Sequence, residues 1–248
     1  MGRRFSPDDL WNAAPAGDRV FNPENLSQVP EIVRRYLEHS IARRTPLART
    51  VRLRMHGELK LRRWHQFEAE QVISWGCGMI WRASVRMHRL AITGSDTFIK
   101  GEGIMRWKLF GLIPLVNASG SEITRSAAGR INLESIWLPS ALVPPGITWQ
   151  VKALFQFHAS FTAHGEAAEI DYMVTDNGRL MTVNMPRWGN PEGGKFRYEN
   201  CGALVEEERR FGGYTIPSHV RVGWHFGTDR FESEGEFFRA RIDDAAYK

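Results

Sequence analysis

The chain has 248 residues, 42% hydrophobic and 25% charged, with a formal net charge of +5, a profile that fits one large soluble globular domain. No window of 18 apolar residues occurs, which excludes a transmembrane helix, and the basic N-terminus Met1–Asp9, with Arg3 and Arg4, leads into no apolar core, which argues against a secretory signal. Without an export signal, Cys77 and Cys201 are expected as free thiols in a reducing cytoplasm.

Residues 1–28 read as an extended arm, because Asn12-Ala13-Ala14-Pro15-Ala16-Gly17 and Asn22-Pro23 interrupt any regular pattern. Trp11 and Phe21 are placed to pin it to the body. From Pro30 onward, Ile32, Val33, Tyr36, Leu37 and Ile41 recur at helical spacing and predict a packing helix that ends before Thr45-Pro46. From residue 48 the period changes to two. Val51, Leu53, Met55, Leu59 and Leu61 alternate with Arg52, Arg54, His56, Glu58 and Lys60, the pattern of a half-buried strand. Strands are predicted over 64–75, 79–87, 90–92 and 97–107, with turns at Gly76-Cys77-Gly78 and Gly94-Ser95-Asp96.

A second helix is predicted over 121–142, apolar around much of its circumference and therefore buried, stopping at Pro144-Pro145-Gly146. Alternation resumes at Ile147 and runs through Phe161. Strands follow over 169–174, 180–187, 196–211, 214–226 and 230–242, with tight turns at Asp176-Asn177-Gly178, Gly212-Gly213 and Gly227-Thr228-Asp229. The expected fold is mainly β (α+β): a large curved antiparallel sheet, a half-open barrel of about 10–11 strands, with the N-terminal and central helices on its concave side. Residues 29–248 are expected to form this one domain.

No strong catalytic motif is present, neither a phosphate-binding loop nor a GxSxG elbow, and no Cys/His cluster has zinc spacing. His158 with His164, and His219 with His225, share strand faces at a separation that makes metal binding a weak reading, so neither metal nor cofactor is expected. The central helix carries Arg125, Arg130 and Glu134 beside Trp137. Arg130 and Glu134 lie four apart and can touch on one face. A glutamate on an apolar helix needs a partner, because an unpaired buried carboxylate is costly. Either the pair fixes the helix on the sheet, or it forms a polar spot in an apolar ligand cavity. In the second case Glu134 is the best candidate for a general acid or base. Arg187 is suited to a carboxylate or phosphate, and Trp188 to stacking on Arg187 or on a ligand; the bland alternative is a strand end capped by a surface cation–π pair. Trp224 falls on an apolar strand face, with His225 pointing the other way into solvent.

Residues 34–63 hold ten basic side chains against two acids. The stripe reads mainly as a solvated helix and the outer face of a strand, since no nucleic-acid motif accompanies it. Peripheral membrane contact is compatible with it, and specific nucleic-acid binding is not expected.

Arg125-Ser126-Ala127-Ala128-Gly129-Arg130, the Glu134/Trp137/Pro139 spacing, Trp107-Lys108-Leu109-Phe110-Gly111-Leu112-Ile113-Pro114, Phe211-Gly212-Gly213-Tyr214-Thr215-Ile216-Pro217 and Trp224-His225-Phe226-Gly227 resemble an uncharacterised bacterial family, a domain of unknown function. That family brings no assigned reaction. The order of elements is also similar to the curved, unclosed barrels of lipoprotein-carrier folds, which enclose acyl chains beneath helices. This resemblance implies a lipid-sized cavity, although fold alone does not give function. The primary reading is a binding protein for a hydrophobic or amphipathic acidic small molecule or lipid, contacted by Arg125, Arg130, Glu134, Trp137, Arg187, Trp188 and Trp224. The alternatives are a cofactor-independent isomerase, cyclase or hydrolase in the same cavity, and an interaction protein using its basic face.

Overall fold

The computed structural model describes residues 5–87 and 90–248; Arg3 and Arg4 lie outside them. The alternation that begins near residue 50 becomes β1 (Thr50–Leu61), with Val51, Leu53 and Met55 buried and Arg52, Arg54, His56, Glu58 and Lys60 on the opposite face. A meander follows: β2 (Arg63–Ser74), β3 (Gly78–Met87), β4 (Leu90–Ile99), β5 (Glu102–Leu109) and β6 (Ile113–Ser119). After the central helix come β7 (Thr148–Ala153), β8 (Gln156–Ala163), β9 (Glu166–Val174), β10 (Leu180–Gly189), β11 (Arg197–Phe211), β12 (Tyr214–Trp224) and β13 (Glu236–Tyr247).

All thirteen belong to one antiparallel sheet in the order β6-β5-β4-β3-β2-β1-β13-β12-β11-β10-β9-β8-β7. The two meanders are therefore joined in the middle by β1 against β13, and β6 and β7 are the free edges. The sheet curls strongly. Phe98 of β4 and Trp75, just after β2, meet His164 of the β8–β9 turn, with ring centres 5.7 and 5.1 Å apart.

The helices are α1 (Pro7–Ala13), α2 (Glu31–Ser40) and α3 (Ser121–Leu133). In α2, Ile32, Val33, Tyr36 and Leu37 are buried on the concave side, where Tyr36 packs on Phe157 and Tyr172. Helix α3 crosses the concave face and touches β4, β5 and β6 on one side and β9 and β10 on the other.

The expected curved half-barrel is present with thirteen strands rather than about 10–11. Residues 94–96 do not turn: β4 runs straight through them, and the turn falls at Lys100-Gly101, both at positive φ. Ile113–Ser119 adds a strand, and the run from Ile147 to Phe161 splits into β7 and β8. Conversely, Phe231–Gly235 forms a π-helical turn instead of the start of a strand. The central helix ends at Leu133 and continues as two 3-10 turns, Glu134–Trp137 and Pro139–Leu142. Leu138, preceding Pro139, leaves the helical region, as sterics before proline favour.

Within the segment expected to be an extended arm, Pro7–Ala13 is helical. Ser6 and Asp9 close a capping box around its first turn, and Leu10 covers Val72 and Ile80 on the outer face of β2 and β3. Phe21 is fully buried in the main core.

Among the described residues, half of the ten basic side chains of the stripe are paired with acids. Arg52 bonds Asp8 and Glu70, Arg54 bonds Asp244, His56 bonds Asp243, and Arg34 and Arg35 bond Glu31.

Candidate functional site

On antiparallel strands, side chains in register point to the same face. Leu53 pairs with Gln71, Gln71 with Trp81, Trp81 with Asp96, and Asp96 with Met105. Five neighbouring strands thus place a transverse row on the concave face, with two polar residues inside an otherwise apolar surface. Trp107 lies over Gly94, where an added Cβ would come within 2.3 Å of the indole, and its Nε1–H donates to Asp96 Oδ1 at 3.0 Å.

Helix α3 lowers Arg130 onto this row. The Nε–H of Arg130 donates to Glu134 Oε1 at 2.7 Å, and Nη1 donates to Asp96 Oδ2 at 3.0 Å. The guanidinium sits 4.9 Å from the centre of the Trp81 ring. Gln71 Nε2 donates to the other oxygen of Glu134 at 2.6 Å. Both oxygens of each carboxylate therefore accept a hydrogen bond. Burial disfavours the charge on Arg130, but Glu134 and Asp96 outweigh it and raise its pKa. Asp96 remains above the usual carboxylate range because burial outweighs the pull of Arg130 and the Trp107 N–H. The cluster thus holds a firmly protonated guanidinium beside a carboxyl that takes up a proton more readily than a free Asp.

The second half of the sheet supplies Arg187, from β10. Gly129 of α3 lies against its stem, with the Arg187 Cγ 3.2 Å from where a Cβ would stand. The small residues Ala127, Ala128 and Gly129 thus let the helix pack closely there. Nε and Nη2 of Arg187 donate to the Ser126 carbonyl at 3.3 and 3.2 Å, and the guanidinium lies 5.1 Å from the Trp224 ring centre. Trp224 in turn covers Gly189, whose missing Cβ leaves room for the indole. Among the described residues no carboxylate pairs with Arg187. Its nearest thiol, Cys201 Sγ, is 4.0 Å from Nη1; burial pushes that thiol up, against the opposing pull of Arg187.

Between these walls lies a cavity of about 430 Å³. Leu59, Trp81, Met105, Trp107, Val222 and Phe238 form much of its apolar surface, and Asp96, Arg130, Glu134 and Arg187 are its charged groups. A recess of about 220 Å³ shares Asp96, Arg130, Arg187 and Trp224 and extends toward Ser126 and Asn190. The larger volume falls within the range of small-molecule sites, ~300–1,000 Å³.

Of the residues singled out from the sequence, Arg130, Glu134, Trp137, Arg187 and Trp224 come together on this cavity. Trp137 is anchored by its Nε1–H to the Pro217 carbonyl at 3.1 Å. Arg125 and Trp188 do not line it. Arg125 bonds Glu166 and Tyr198 and stacks 4.2 Å from the Trp188 ring centre, and Trp188 donates to Glu122. The expected stacking of Trp188 on Arg187 is therefore replaced by Trp224 on Arg187, because successive strand residues point to opposite faces. His225 is buried rather than solvated. Its positive φ ends β12 and turns the ring toward Glu192 and Glu199, at 3.8 and 3.4 Å.

Asp96, Gln71, Trp81 and Trp107 were not expected at the site. Gln71 was detectable as the polar member of the inward series Phe67, Ala69, Gln71, Ile73. Asp96 was hidden by the turn-like Gly94-Ser95. Among the described residues no group of three or more His, Cys, Asp or Glu is arranged to hold a metal ion, and no helix is long and apolar enough to cross a membrane.

A family model described as a family of unknown function (DUF6920) matches residues 27–247. No curated protein matches the chain. Among solved structures it is similar to a LolA superfamily protein from Nitrosomonas europaea, with 10% identity, a TM-score of 0.46, and 88% of this chain and 92% of that one covered. It is also similar to a putative outer membrane lipoprotein-sorting protein domain from Vibrio parahaemolyticus, with 11% identity, a TM-score of 0.43, and coverage of 80% and 85%. A third similar structure is a DUF1329 family protein from Desulfovibrio piger, with 10% identity, a TM-score of 0.44, and coverage of 81% and 86%. The chain belongs to the family of unknown function that its residues 27–247 match.

Proposed function

We propose that this family member binds an amphipathic molecule with one acidic end, such as a long-chain carboxylate, in the concave cavity. The observation that carries the reading is an apolar chamber with Arg187 at its polar end, a cation with no carboxylate of its own among the described residues. Arg130 is already held by Asp96 and Glu134. It serves to fix the polar side of the chamber, while Arg187 receives the ligand. The apolar wall contributes on the order of 25 cal/mol for each Å² of ligand surface removed from water, and the charge-assisted contact to Arg187 orients the acid group.

Catalysis by Glu134 is the less favoured reading. A general base needs a carboxylate oxygen in reach of the substrate, and both of its oxygens are engaged by Arg130 and Gln71. We infer a reducing compartment such as the cytoplasm, a reading supported by the exposed free thiol of Cys77. Thiol titration of protein taken from its source tests this: a Cys77 found oxidised or disulfide-linked refutes it.

The binding reading is tested by tryptophan fluorescence, since Trp81, Trp107 and Trp224 line the chamber. The native protein is titrated with palmitate and with methyl palmitate. The acid is expected to bind more tightly, and Arg187→Gln to abolish that preference while leaving ester binding unchanged. Equal affinity for acid and ester in the native protein, or no binding of either, overturns the reading.

A further inference from the structure

The β5–β6 hairpin carries an apolar surface that nothing in the fold covers. Phe110, Leu112, Ile113, Leu115 and Val116 are all exposed, and Leu112 at 79% is the most exposed large hydrophobic side chain among the described residues. The turn itself forces this. Phe110 and Gly111 both take positive φ, 52° and 70°, and the strands close directly behind them through Leu109 and Ile113. A contiguous exposed apolar patch on a soluble chain marks an interaction site.

Two further observations say what covers it. First, the patch is continuous with the chamber, because Leu115 and Val116 also line the cavity beside Ile92 and Trp107. Second, it is flanked by cations. The β1–β2 and β5–β6 turns lie at the same end of the meander, and the first carries the exposed Arg62 and Arg63. Arg106 and Lys108 flank the second on β5, and among the described residues no acid pairs with any of these four. Apolar tips with unpaired basic side chains at the same end of the sheet match an anionic bilayer surface, where each Lys or Arg near the headgroups adds about 1 kcal/mol of attraction. Edge pairing with a second copy is disfavoured. The β6 edge carries Pro114, which has no N–H, and a register shift at Trp107/Lys108 that disrupts the ladder.

We propose that the β5–β6 hairpin is a docking lip that seats in the surface of an anionic bilayer and sets the mouth of the chamber against the lipid. The inference does not rest on the ligand-binding reading: docking needs the lip and its cations, whereas acid selectivity needs Arg187.

The test is flotation of the full chain with vesicles of phosphatidylcholine alone and of phosphatidylcholine mixed with phosphatidylglycerol. The native protein is expected to float with the mixed vesicles, and less so as salt screens the cations. The double variant Leu112→Asp/Ile113→Asp is expected to bind the mixed vesicles at least about tenfold more weakly, with an unchanged melting temperature, because both side chains are exposed. Arg62→Glu/Arg63→Glu is expected to weaken binding to the anionic vesicles. Arg187→Gln is expected to float like the native chain, which separates failure of the lip from failure of the acid site. Failure of the native chain to float with either vesicle overturns the proposal, as does equal flotation of the lip variant. A native dimer that the lip variant dissociates, without vesicle binding, assigns the patch to a second copy instead and also overturns it.

Discussion

Replacing Arg130 with methionine removes one cation shared by two carboxylates while keeping most of the side-chain volume. Asp96 and Glu134 then face each other with no positive charge between them, and the contact over the Trp81 ring is lost. The three side chains are 18%, 17% and 12% exposed, so solvent screens the loss only in part. Breaking a buried pair by removing one partner costs about 3–5 kcal/mol. The residual exposure places this site toward the lower end, about 3–4 kcal/mol at neutral pH. For a chain of this length that corresponds to a fall in melting temperature of roughly 6–16 °C. The sign of the pH dependence follows from Asp96. Its pKa, already raised by burial against the pull of Arg130, rises further in the folded variant, so the folded state binds more protons than the unfolded one. The variant therefore regains stability as pH falls through that raised value toward the ordinary carboxylate range, near 4. Urea unfolding at pH 7 and pH 5 measures both quantities. Adding Asp96→Asn and Glu134→Gln to Arg130→Met should restore most of the loss. A deficit below about 1 kcal/mol at pH 7, or an equal deficit at pH 5, would refute the assignment of Arg130 as the charge that holds the row.

Asp96→Asn removes a negative charge from the chamber beside Arg187. It should tighten palmitate binding and flatten its pH dependence in the fluorescence titration, since native Asp96, raised by burial, repels the ligand increasingly as pH rises through its pKa. Gly189→Ala puts a methyl group 2.3 Å from the Trp224 ring; it should cost about 1–3 kcal/mol by overpacking and shift Trp emission. Glu236 is opposed by burial, yet Arg221 and Arg239 outweigh this and hold its carboxyl at about 2. Its contribution is present above the ordinary glutamate value and lost as pH falls toward 2, so Glu236→Gln should flatten the acid limb of a stability-versus-pH curve.

Alternation exposed the architecture most clearly where one strand face is apolar and the other charged, as in Val51–Leu61. The stripe of α2 was equally plain, because Ile32, Val33, Tyr36 and Leu37 repeat with its turn. Strand β6 was concealed for the opposite reason. Phe110–Val116 is apolar on every residue but Gly111 and Pro114, so it shows no period at all, and its hydrophobicity is turned outward instead of into a core. Gly94 suggested a turn, whereas it is the seat of the Trp107 ring; a glycine that admits a neighbouring side chain cannot be told from one that bends the backbone without knowing the neighbour. The pairing of Arg130 with Glu134 was readable because the two are four residues apart in a continuous helical pattern, and Glu134 directly caps α3. Asp96 and Gln71 come from separate strands, and Arg187 from the far side of the sheet, so their convergence depends on curl and register that no local pattern records. Arg125 was drawn in by proximity in sequence to Arg130, yet five residues along a helix place it on another face, where Glu166 takes it.

Strand β1 pairs with β13, so residues roughly 190 positions apart form the central seam of the sheet. During synthesis the first meander, β1 through β6, exists long before the strand that must lie beside β1. The two meanders can each assemble from local hairpins, but the chamber is not closed until β13 arrives. Loss of β13 would unzip the molecule at its middle and leave two sheets, each with an extra raw edge. A nonsense mutation just before β13 should therefore be as damaging as one near β1, and an aggregating product, not a shortened working one, is its expected outcome.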